Sequence, residues 1–187
     1  VVSLIGYAFE NNLDLSKTSV KKIICIGENI RNDDLTLNAL GERISKNWNV
    51  ELFSTYASTE QQTAFTECPH GKGGHHQPGL IIFEILDEND QPLPPGSYGE
   101  LTITTLGVEG MPLLRYKTGD VCTYFSGTCS CGRVTSRISP VKGRKKQLIK
   151  YKGTTLYPQT IFNALNGVEF ILDYAVRVYK NDMGIDD

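Results

Sequence analysis

Residues 20–60, VKKIICIGENIRNDDLTLNALGERISKNWNVELFSTYASTE, decide the fold class. The β-branched run at 20–26 predicts a buried strand that ends at Gly27. Acidic residues followed by recurring apolar residues predict a helix over 33–48, and residues 50–53 predict the next strand. A strand, a helix and a strand at this spacing predict a right-handed crossover between two parallel strands. Because ligands bind beyond the carboxyl ends of such strands, the loops that follow them should share one mouth.

The sequence beyond residue 80 changes to a mostly β pattern. Strands with turn-rich connections between them are predicted at 80–86, 99–105 and 121–125. The basic run KGRKK at 142–146 marks the best domain boundary. Beyond it we expect a hairpin at 147–156, a proline-initiated helix at 158–165 and a strand at 173–179. The predicted fold class is therefore α/β, of the mixed α+β kind.

Composition excludes several classes of protein. Of the 187 residues, 40% are hydrophobic and 21% are charged, which is ordinary globular usage and excludes a wholly disordered chain. Nineteen basic against 21 acidic residues give a net charge of −2, which is not the footprint of a non-specific nucleic-acid binder. The apolar run at 1–9 is too short to span a membrane and lacks the basic start of a signal peptide. We therefore expect a cytoplasmic protein that binds neither nucleic acid nor membrane.

The five cysteines fall into two groups. Cys25 and Cys122 lie in apolar, strand-like runs and are interpreted as small buried residues. Cys68, Cys129 and Cys131 lie in loops, and the first of them is followed by His70, His75 and His76. Three thiolates and one imidazole can form a tetrahedral Cys₃His zinc site of the structural type. Unrelated loop thiols are the alternative, because the Cys-x-Cys spacing is tighter than the common one.

Four short segments together carry the signal for function, namely GEN at 27–29, YASTE at 56–60, YKTGD at 116–120 and GRKK at 143–146. In this order and spacing they resemble the adenylate-forming superfamily of acyl- and aryl-CoA synthetases, and within it the phenylacetate–CoA ligase group. The element CSCGR at 129–133 is similar to one that this group often carries. The resemblance implies an enzyme that uses ATP and Mg²⁺ to make an acyl- or aryl-adenylate from a carboxylic acid. It implies coenzyme A as the acceptor of the acyl group.

The resemblance assigns roles to the first two segments. The residues that would lie beside adenine are Gly27, Glu28, Asn29 and Tyr56. Thr59 would contact phosphate, and Glu60 would bind Mg²⁺, a cation that prefers oxygen ligands. Ala57 departs from the glycine that is common at its position. Taken alone, the same residues are also compatible with an ordinary turn, a packed aromatic ring and a helix start.

The later segments would complete the nucleotide and coenzyme A contacts. Asp120 matches the residue that accepts hydrogen bonds from the ribose hydroxyls, although an isolated Gly-Asp is more often a solvated turn. Arg144 matches an arginine that reaches the ribose or the phosphate, and Lys146 occupies the hinge, where Asp is more frequent. Gly153 matches the glycine that lines the pantetheine passage, where the lack of a side chain admits a thiol arm. Lys145 is interpreted as part of a solvated basic face.

The resemblance also favours one set of zinc ligands. Cys68, Cys129 and Cys131 would be joined by His75, which matches the Gly-x-His of similar sequences, with His76 as the alternative. Four protein ligands leave no open position for catalysis, which indicates a structural site. Arg133 is interpreted as either a surface residue or a neighbour of this site.

Domain organisation follows from the same resemblance. Residues 1–142 would be the closing part of a large AMP-binding N-terminal domain, with an α/β part at 1–60 and an antiparallel β subdomain at 61–142. Residues 143–187 would be the hinge and the beginning of the C-terminal lid domain. The superfamily's Ser/Thr/Gly-rich phosphate loop and its C-terminal catalytic lysine are not found in the sequence. We therefore expect an internal fragment that does not catalyse adenylation alone.

Two alternative functions stay open. One is a non-catalytic, zinc-stabilised binding module, and the other is a related adenylate-forming enzyme that transfers AMP or the acyl group to another acceptor. The sequence does not separate these branches, and it does not identify the carboxylic acid. It also leaves the oligomeric state open, with a homodimer among the alternatives.

Overall fold

The computed structural model describes residues 1–151, 154–168, 171 and 174–179. The helices are α1 Val2–Glu10, α2 Ala39–Asn47 and α3 Pro158–Asn166, with 3₁₀ turns at Leu15–Lys17 and Lys145–Gln147. The strands are β1 Lys22–Ile26, β2 Glu51–Ala57, β3 Ala64–Glu67, β4 Gly74–His75, β5 Ile81–Leu86, β6 Gly99–Thr105, β7 Tyr116–Cys122, β8 Tyr124–Phe125, β9 Arg137–Ile138, β10 Gly143–Arg144, β11 Ile149–Tyr151 and β12 Thr154–Leu156. Over the described residues, none of the helices combines the length and apolar character that a bilayer-crossing segment needs.

The chain divides into two compact units. The first unit comprises Val1–Ile81 and Phe125–Pro140, and the second comprises Ile82–Tyr124 and the described residues from Val141 onward. Each unit is therefore built from two separate stretches of sequence. The predicted division into domains at residue 142 stays a prediction.

The strands of the first unit belong to a six-stranded sheet in the order β1-β2-β3-β4-β9-β8. β1 and β2 pair in parallel, with Ile26 opposite Thr55 near their carboxyl ends, so the predicted strand–helix–strand arrangement is confirmed. The pairs β2–β3, β3–β4 and β4–β9 are antiparallel. Phe65 on β3 and Ile138 on β9 are fully buried and contribute to the core.

Helix α2 begins later than predicted. The sequence favours a start near 33, whereas the helix begins at Ala39, with Asn38 as the N-cap whose side chain accepts a hydrogen bond from the Gly41 amide. The carboxylate of Asp34 accepts hydrogen bonds from both the amide and the hydroxyl of Thr36. This local bonding competes with the helix, because short polar side chains stabilise turns in place of the first helical turn.

Helix α1 has no counterpart in the sequence analysis, which treats residues 1–9 only as an apolar run. Ile5 and Ala8 form its buried face. Its N-cap, Val1, makes no side-chain capping hydrogen bond. The apolar residues of α1 lie on all sides of the helix. Its sequence therefore has neither an N-capping residue nor an apolar stripe along one face, the two usual signals of a helix.

The second unit contains an antiparallel sheet in the order β10-β7-β6-β5. β6 has the predicted bounds, β11 and β12 form the predicted hairpin, and α3 begins at Pro158 as predicted. β7 begins at Tyr116, five residues before the predicted strand at 121–125. The strand predicted at 173–179 is wrong over 174–179, where the Tyr174 hydroxyl instead hydrogen-bonds to Asn166 Oδ1 at the end of α3.

Candidate metal centre and nucleotide-binding loops

Four side chains with metal-ligating atoms converge in the first unit. The ligand atoms of Cys68, His75, Cys129 and Cys131 all lie within 4.8 Å of one another. Three of these residues are buried and Cys131 is half-buried. These are the four residues that the sequence analysis selects, and the alternative histidine, His76, is not a member of the group.

Three local elements place the four candidate ligands. Cys68 follows β3 directly, and His75 ends β4, which pairs with β3. Cys129 and Cys131 lie in a tight turn between β8 and β9, in which the Cys129 amide donates to the Arg133 carbonyl at 2.8 Å. A tight turn that brings two thiols to the same side accounts for the short Cys-x-Cys spacing. Sheet pairing and this turn together assemble the cluster from residues 61 positions apart.

Two of the distances between the candidate ligand atoms match a tetrahedral zinc site. With zinc–sulfur bonds of about 2.3 Å and zinc–nitrogen bonds of about 2.0–2.1 Å, two sulfurs lie about 3.8 Å apart and a sulfur and a nitrogen lie about 3.5–3.6 Å apart. Cys68 Sγ and Cys129 Sγ are 3.7 Å apart. Cys131 Sγ and His75 Nε2 are 3.6 Å apart. The residues therefore fit the ion that the sequence implies, since both edges have the length that a shared zinc ion would impose.

The imidazole of His75 is oriented by a second hydrogen bond. Its Nδ1 lies 3.0 Å from the Thr135 hydroxyl. This contact leaves Nε2, the atom that faces Cys131, as the nitrogen available to a metal. Metal-bound histidines typically use their other ring nitrogen in this way.

The protonation of the cluster also suits a cation. Burial lowers the pKa of His75, with further contributions from Arg133 and Arg137, so the neutral ligating form is favoured. The backbone amide of Arg133 lowers the pKa of the Cys131 thiol to about 7. Burial raises the pKa of the Cys68 thiol, so that a cation would have to supply the charge that stabilises its thiolate. Arg133 Nη1 lies 3.5 Å from Cys131 Sγ, so this arginine is a neighbour of the cluster.

The first two candidate nucleotide segments leave the sheet at the same edge. Gly27, Glu28 and Asn29 follow β1, and 58–60 follow β2, whose parallel pairing sets their carboxyl ends side by side. Gly27 has a φ of +82°, a conformation that favours glycine. Asn38 Nδ2 donates to the Asn29 carbonyl at 2.7 Å and so fixes the loop against the start of α2.

The strand predicted at 50–53 leaves Tyr56 and Ala57 in the loop that follows it, whereas the two residues end strand β2 in the structure. The Tyr56 ring lies 6.1 Å from the ring of Phe65 on the neighbouring strand. Thr59 and Glu60 lie beyond the strand and are exposed to solvent. The hydroxyl and carboxylate that the resemblance assigns to phosphate and Mg²⁺ are therefore accessible.

The motif at 116–120 lies on β7 in the second unit, and its residues explain the direction of the Asp120 side chain. Gly119 has a φ of +80° and lies where β7 carries extra residues relative to β6. Such a bulge redirects the following side chain. Thr118 Oγ1 donates to the Leu101 carbonyl on β6 at 2.8 Å and accepts from the Asp120 amide at 3.1 Å. The threonine, glycine and aspartate of the motif therefore act as one structural unit.

Asp120 pairs with Arg144 across β7 and β10. The two residues are directly opposite in the strand register, and Arg144 Nε lies 3.3 Å from Asp120 Oδ1. Lys146 is exposed in the 3₁₀ turn that follows. Lys145 is exposed, as expected for a solvated basic face, and its Nζ also lies 3.1 Å from Glu100 Oε2. Gly153 lies outside the described residues.

Solved structures of several CoA ligases share this fold. A structure of 2-hydroxyisobutyryl-CoA ligase in the postadenylation state with 2-HIB-AMP matches with a TM-score of 0.78 over 90% of this chain and 36% of that chain, at 22% identity. A structure of an anthranilate CoA ligase with anthranoyl-AMP matches with a TM-score of 0.64 over 97% of this chain and 36% of that chain, at 18% identity. The fold is therefore that of the adenylate-forming enzymes.

The sequence gives the narrower relationship. Over 123 residues, 65% of this chain and 28% of the relative, it is 32% identical to phenylacetate-coenzyme A ligase of Thermus thermophilus. It is 33% identical over 102 residues to the enzyme of the same name from Aromatoleum evansii, which covers 51% of this chain and 21% of that relative. No protein-family model matches the chain. The chain thus resembles the phenylacetate–CoA ligase group, as the motifs predict, and spans about a quarter of the length of these curated relatives.

Sequence reasoning missed one further feature of the first unit. Arg31 and Glu67 form a buried ion pair between the candidate adenine loop and the metal centre. The two residues are 36 positions apart. An arginine and a glutamate at that separation give no local signal in the sequence.

Proposed function

We propose that the chain carries part of an ATP-dependent carboxylic acid–CoA ligase of the phenylacetate–CoA ligase type. The parent enzyme would form an acyl- or aryl-adenylate with release of pyrophosphate and then transfer the acyl group to coenzyme A in the cytoplasm. The observation that carries this proposal is the 32% identity over 123 residues to a phenylacetate-coenzyme A ligase. The alignment covers 28% of that relative, so complete activity would require a longer protein.

In the first unit, we assign the adenine and phosphate contacts to the edge where β1 and β2 end. Gly27, Glu28 and Asn29 would face the adenine, with Tyr56 beside them. Thr59 would donate to a phosphate oxygen, and Glu60 would bind Mg²⁺ together with that phosphate. The parallel register of the two strands and the exposure of Thr59 and Glu60 support this assignment.

In the second unit, we assign ribose binding to Asp120. A carboxylate that accepts from two hydroxyls is a recurrent solution for ribose, and the contact with Arg144 keeps a cation within reach of the same ligand. Lys146 would serve as the hinge, and Gly153 would line the coenzyme A passage. The last two assignments depend on the sequence resemblance alone.

For the cluster of Cys68, His75, Cys129 and Cys131 we propose a structural zinc ion. Four protein ligands would fill the coordination sphere of a tetrahedral zinc ion and leave no position for a water or a substrate. The ion would join β3, β4 and the turn before β9. A non-catalytic, zinc-stabilised binding module would have the same metal site. It would differ from a ligase in having no affinity for the nucleotide.

The deciding experiment uses the full-length parent and measures carboxylate-dependent pyrophosphate exchange across a panel of aliphatic and aryl acids, with phenylacetate among them. Asp120→Ala should reduce exchange by at least about 100-fold, because the variant loses contacts to both ribose hydroxyls. Glu109→Ala, which alters an exposed carboxylate of the same unit, is the matched control and should retain exchange. Equal activity of both variants would contradict the assignment of Asp120. Full exchange by the 187-residue chain alone would contradict the proposal that it is only part of the enzyme.

A further inference from the structure

The buried ion pair in the first unit joins two regions that the proposed function treats separately. Arg31 Nε lies 2.6 Å from Glu67 Oε1, and the two side chains are only 13% and 3% exposed. Arginine and glutamate are seldom buried this deeply unless they are paired. Removal of one partner would leave the other charge buried without compensation, so the pair constrains the position of both backbones.

Arg31 is anchored to the segment that follows the candidate adenine loop. Its backbone amide donates to Asn29 Oδ1 at 3.2 Å. Its Nη1 donates to the Leu35 carbonyl at 2.9 Å. A shift of the guanidinium would therefore be transmitted to Asn29, the last residue of that loop.

Glu67 is anchored to the metal centre and to strand β2. It is the last residue of β3 and directly precedes the ligand Cys68. Its second carboxylate oxygen, Oε2, accepts from the Ser54 amide on β2 at 3.0 Å. Glu67 thus uses both oxygens, and a displacement of Cys68 would move it relative to β2 and Arg31.

Arg31 also packs against the loop between the first two metal ligands. A methyl group added at Gly71 would lie 2.7 Å from Arg31 Nη2. Gly71 itself is held by a hydrogen bond from its amide to the Cys68 carbonyl at 3.0 Å. Arg31 therefore meets the metal-bearing segment at two points, Glu67 and Gly71.

We propose that Arg31 and Glu67 are positioning residues that couple occupancy of the metal centre to the order of the Gly27–Glu28–Asn29 loop. Metal binding fixes Cys68, which fixes Glu67 and Gly71, and these hold Arg31 and the loop. This inference rests on the proposed zinc and nucleotide sites. By linkage, zinc should increase nucleotide affinity, and nucleotide should increase zinc affinity by the same factor.

The test uses the 187-residue chain with zinc and after chelation. Zinc content is measured first, amide hydrogen exchange is then followed at 27–31 and at β1 as an internal reference, and AMP affinity is measured by calorimetry in both states. In the wild type, chelation should accelerate exchange at 27–31 by at least about tenfold relative to β1. Glu67→Gln should keep its zinc, because Glu67 is not a ligand. It should exchange rapidly at 27–31 even with zinc bound, and chelation should add little.

Two further variants guard against a general loss of structure. Glu51→Gln removes an exposed pair with Lys22 in the same unit and should behave as the wild type. Gly71 has a φ of +57°, so Gly71→Ala strains the loop between Cys68 and His75 as well as displacing Arg31. Provided that its zinc content is that of the wild type, it should reproduce the effect of Glu67→Gln with the carboxylate intact. Agreement between Glu67→Gln and Gly71→Ala, with Glu51→Gln unchanged, supports a coupling through Arg31.

The outcomes separate this inference from the proposed sites. Zinc-bound wild type whose exchange at 27–31 is insensitive to chelation overturns the coupling and leaves the metal centre standing. The same holds if Glu67→Gln behaves as Glu51→Gln does. A zinc-free wild type overturns the metal centre and the coupling together. Metal-dependent exchange without any AMP affinity of this chain supports the coupling to the order of the loop and overturns its predicted link to nucleotide affinity.

Discussion

Loss of the metal should destabilise the first unit by an amount that depends on the length of the chain segment between the ligands. The ion would cross-link Cys68 to Cys129, which are 61 residues apart. In the chain-entropy description, one cross-link that closes a loop of this size stabilises the fold by about 4 kcal/mol. Domains are stable by only about 5–15 kcal/mol, so this is a large share of the total. For a chain of this size it corresponds to a fall in melting temperature of about 8–16 °C.

Cys129→Ser is the perturbation of choice, because it removes one ligand and changes the side-chain volume little. We expect the purified wild type to hold about one zinc ion per chain and Cys129→Ser to hold much less. Calorimetric melting of both should show the shift calculated above. Chelation of the wild type should lower its melting temperature to nearly that of Cys129→Ser, and chelation of the variant should change little.

The matched control is Cys25→Ser, which alters a buried thiol outside the cluster. It should lose some packing energy and retain full zinc content. The reasoning is refuted if the wild type contains no zinc after expression in zinc-supplemented medium. It is equally refuted if Cys129→Ser melts within about 2 °C of the zinc-loaded wild type, since a closed loop would then contribute almost nothing.

Four substitutions test packing and helix capping in the same unit through chemical denaturation. Gln61 is 1% exposed, and neither atom of its amide has a hydrogen-bond partner among the described residues, so Gln61→Met should be neutral or stabilise by about 1 kcal/mol. Gly41→Ala should destabilise the fold by about 1–3 kcal/mol, because the added methyl group would lie 2.6 Å from the Ile30 carbonyl oxygen. The methyl group of Gly6→Ala in α1 meets no atom within 4 Å, so this variant should be more stable by about 0.5–1 kcal/mol. Asn38→Ala should cost about 1–2 kcal/mol, because it removes the buried cap of α2.

Features with a period or a distinctive residue type could be predicted from the sequence. The parallel pair β1–β2 could be predicted, because the β-branched run before Gly27 and the strand pattern after α2 are both local signals. The convergence of Cys68, His75, Cys129 and Cys131 could be predicted, because cysteines and a histidine together in loops are typical of metal sites. Spacing alone is compatible with either His75 or His76 as the fourth ligand, and the resemblance to the phenylacetate–CoA ligase group favours His75.

Features decided by competition between local and tertiary bonds could not be predicted. The start of α2 depends on whether Asp34 caps a helix or closes a turn onto Thr36, and both uses suit an aspartate. Tyr56 belongs to β2 because β2 pairs with β3 as far as that position. The end of β2 is therefore set by its partner strand and not by the sequence of β2 itself. The Arg31–Glu67 pair arises only once β1, β2 and β3 are assembled, so no local pattern predicts it.

The weakest parts of the first-unit sheet are the parts nearest to the metal centre. β4 and β9 contain two residues each, which is short for strands that must hold their own pairing. β4 approaches β3 so closely that a methyl group at Gly74 would lie 2.7 Å from the Phe65 carbonyl oxygen, so the contact depends on exact strand position. His75 on β4 and the turn before β9 both contribute ligands, and a shared ion would hold these two strands in register. On loss of the metal, amide protection should therefore disappear first from β4 and β9, while the longer parallel pair β1–β2 persists.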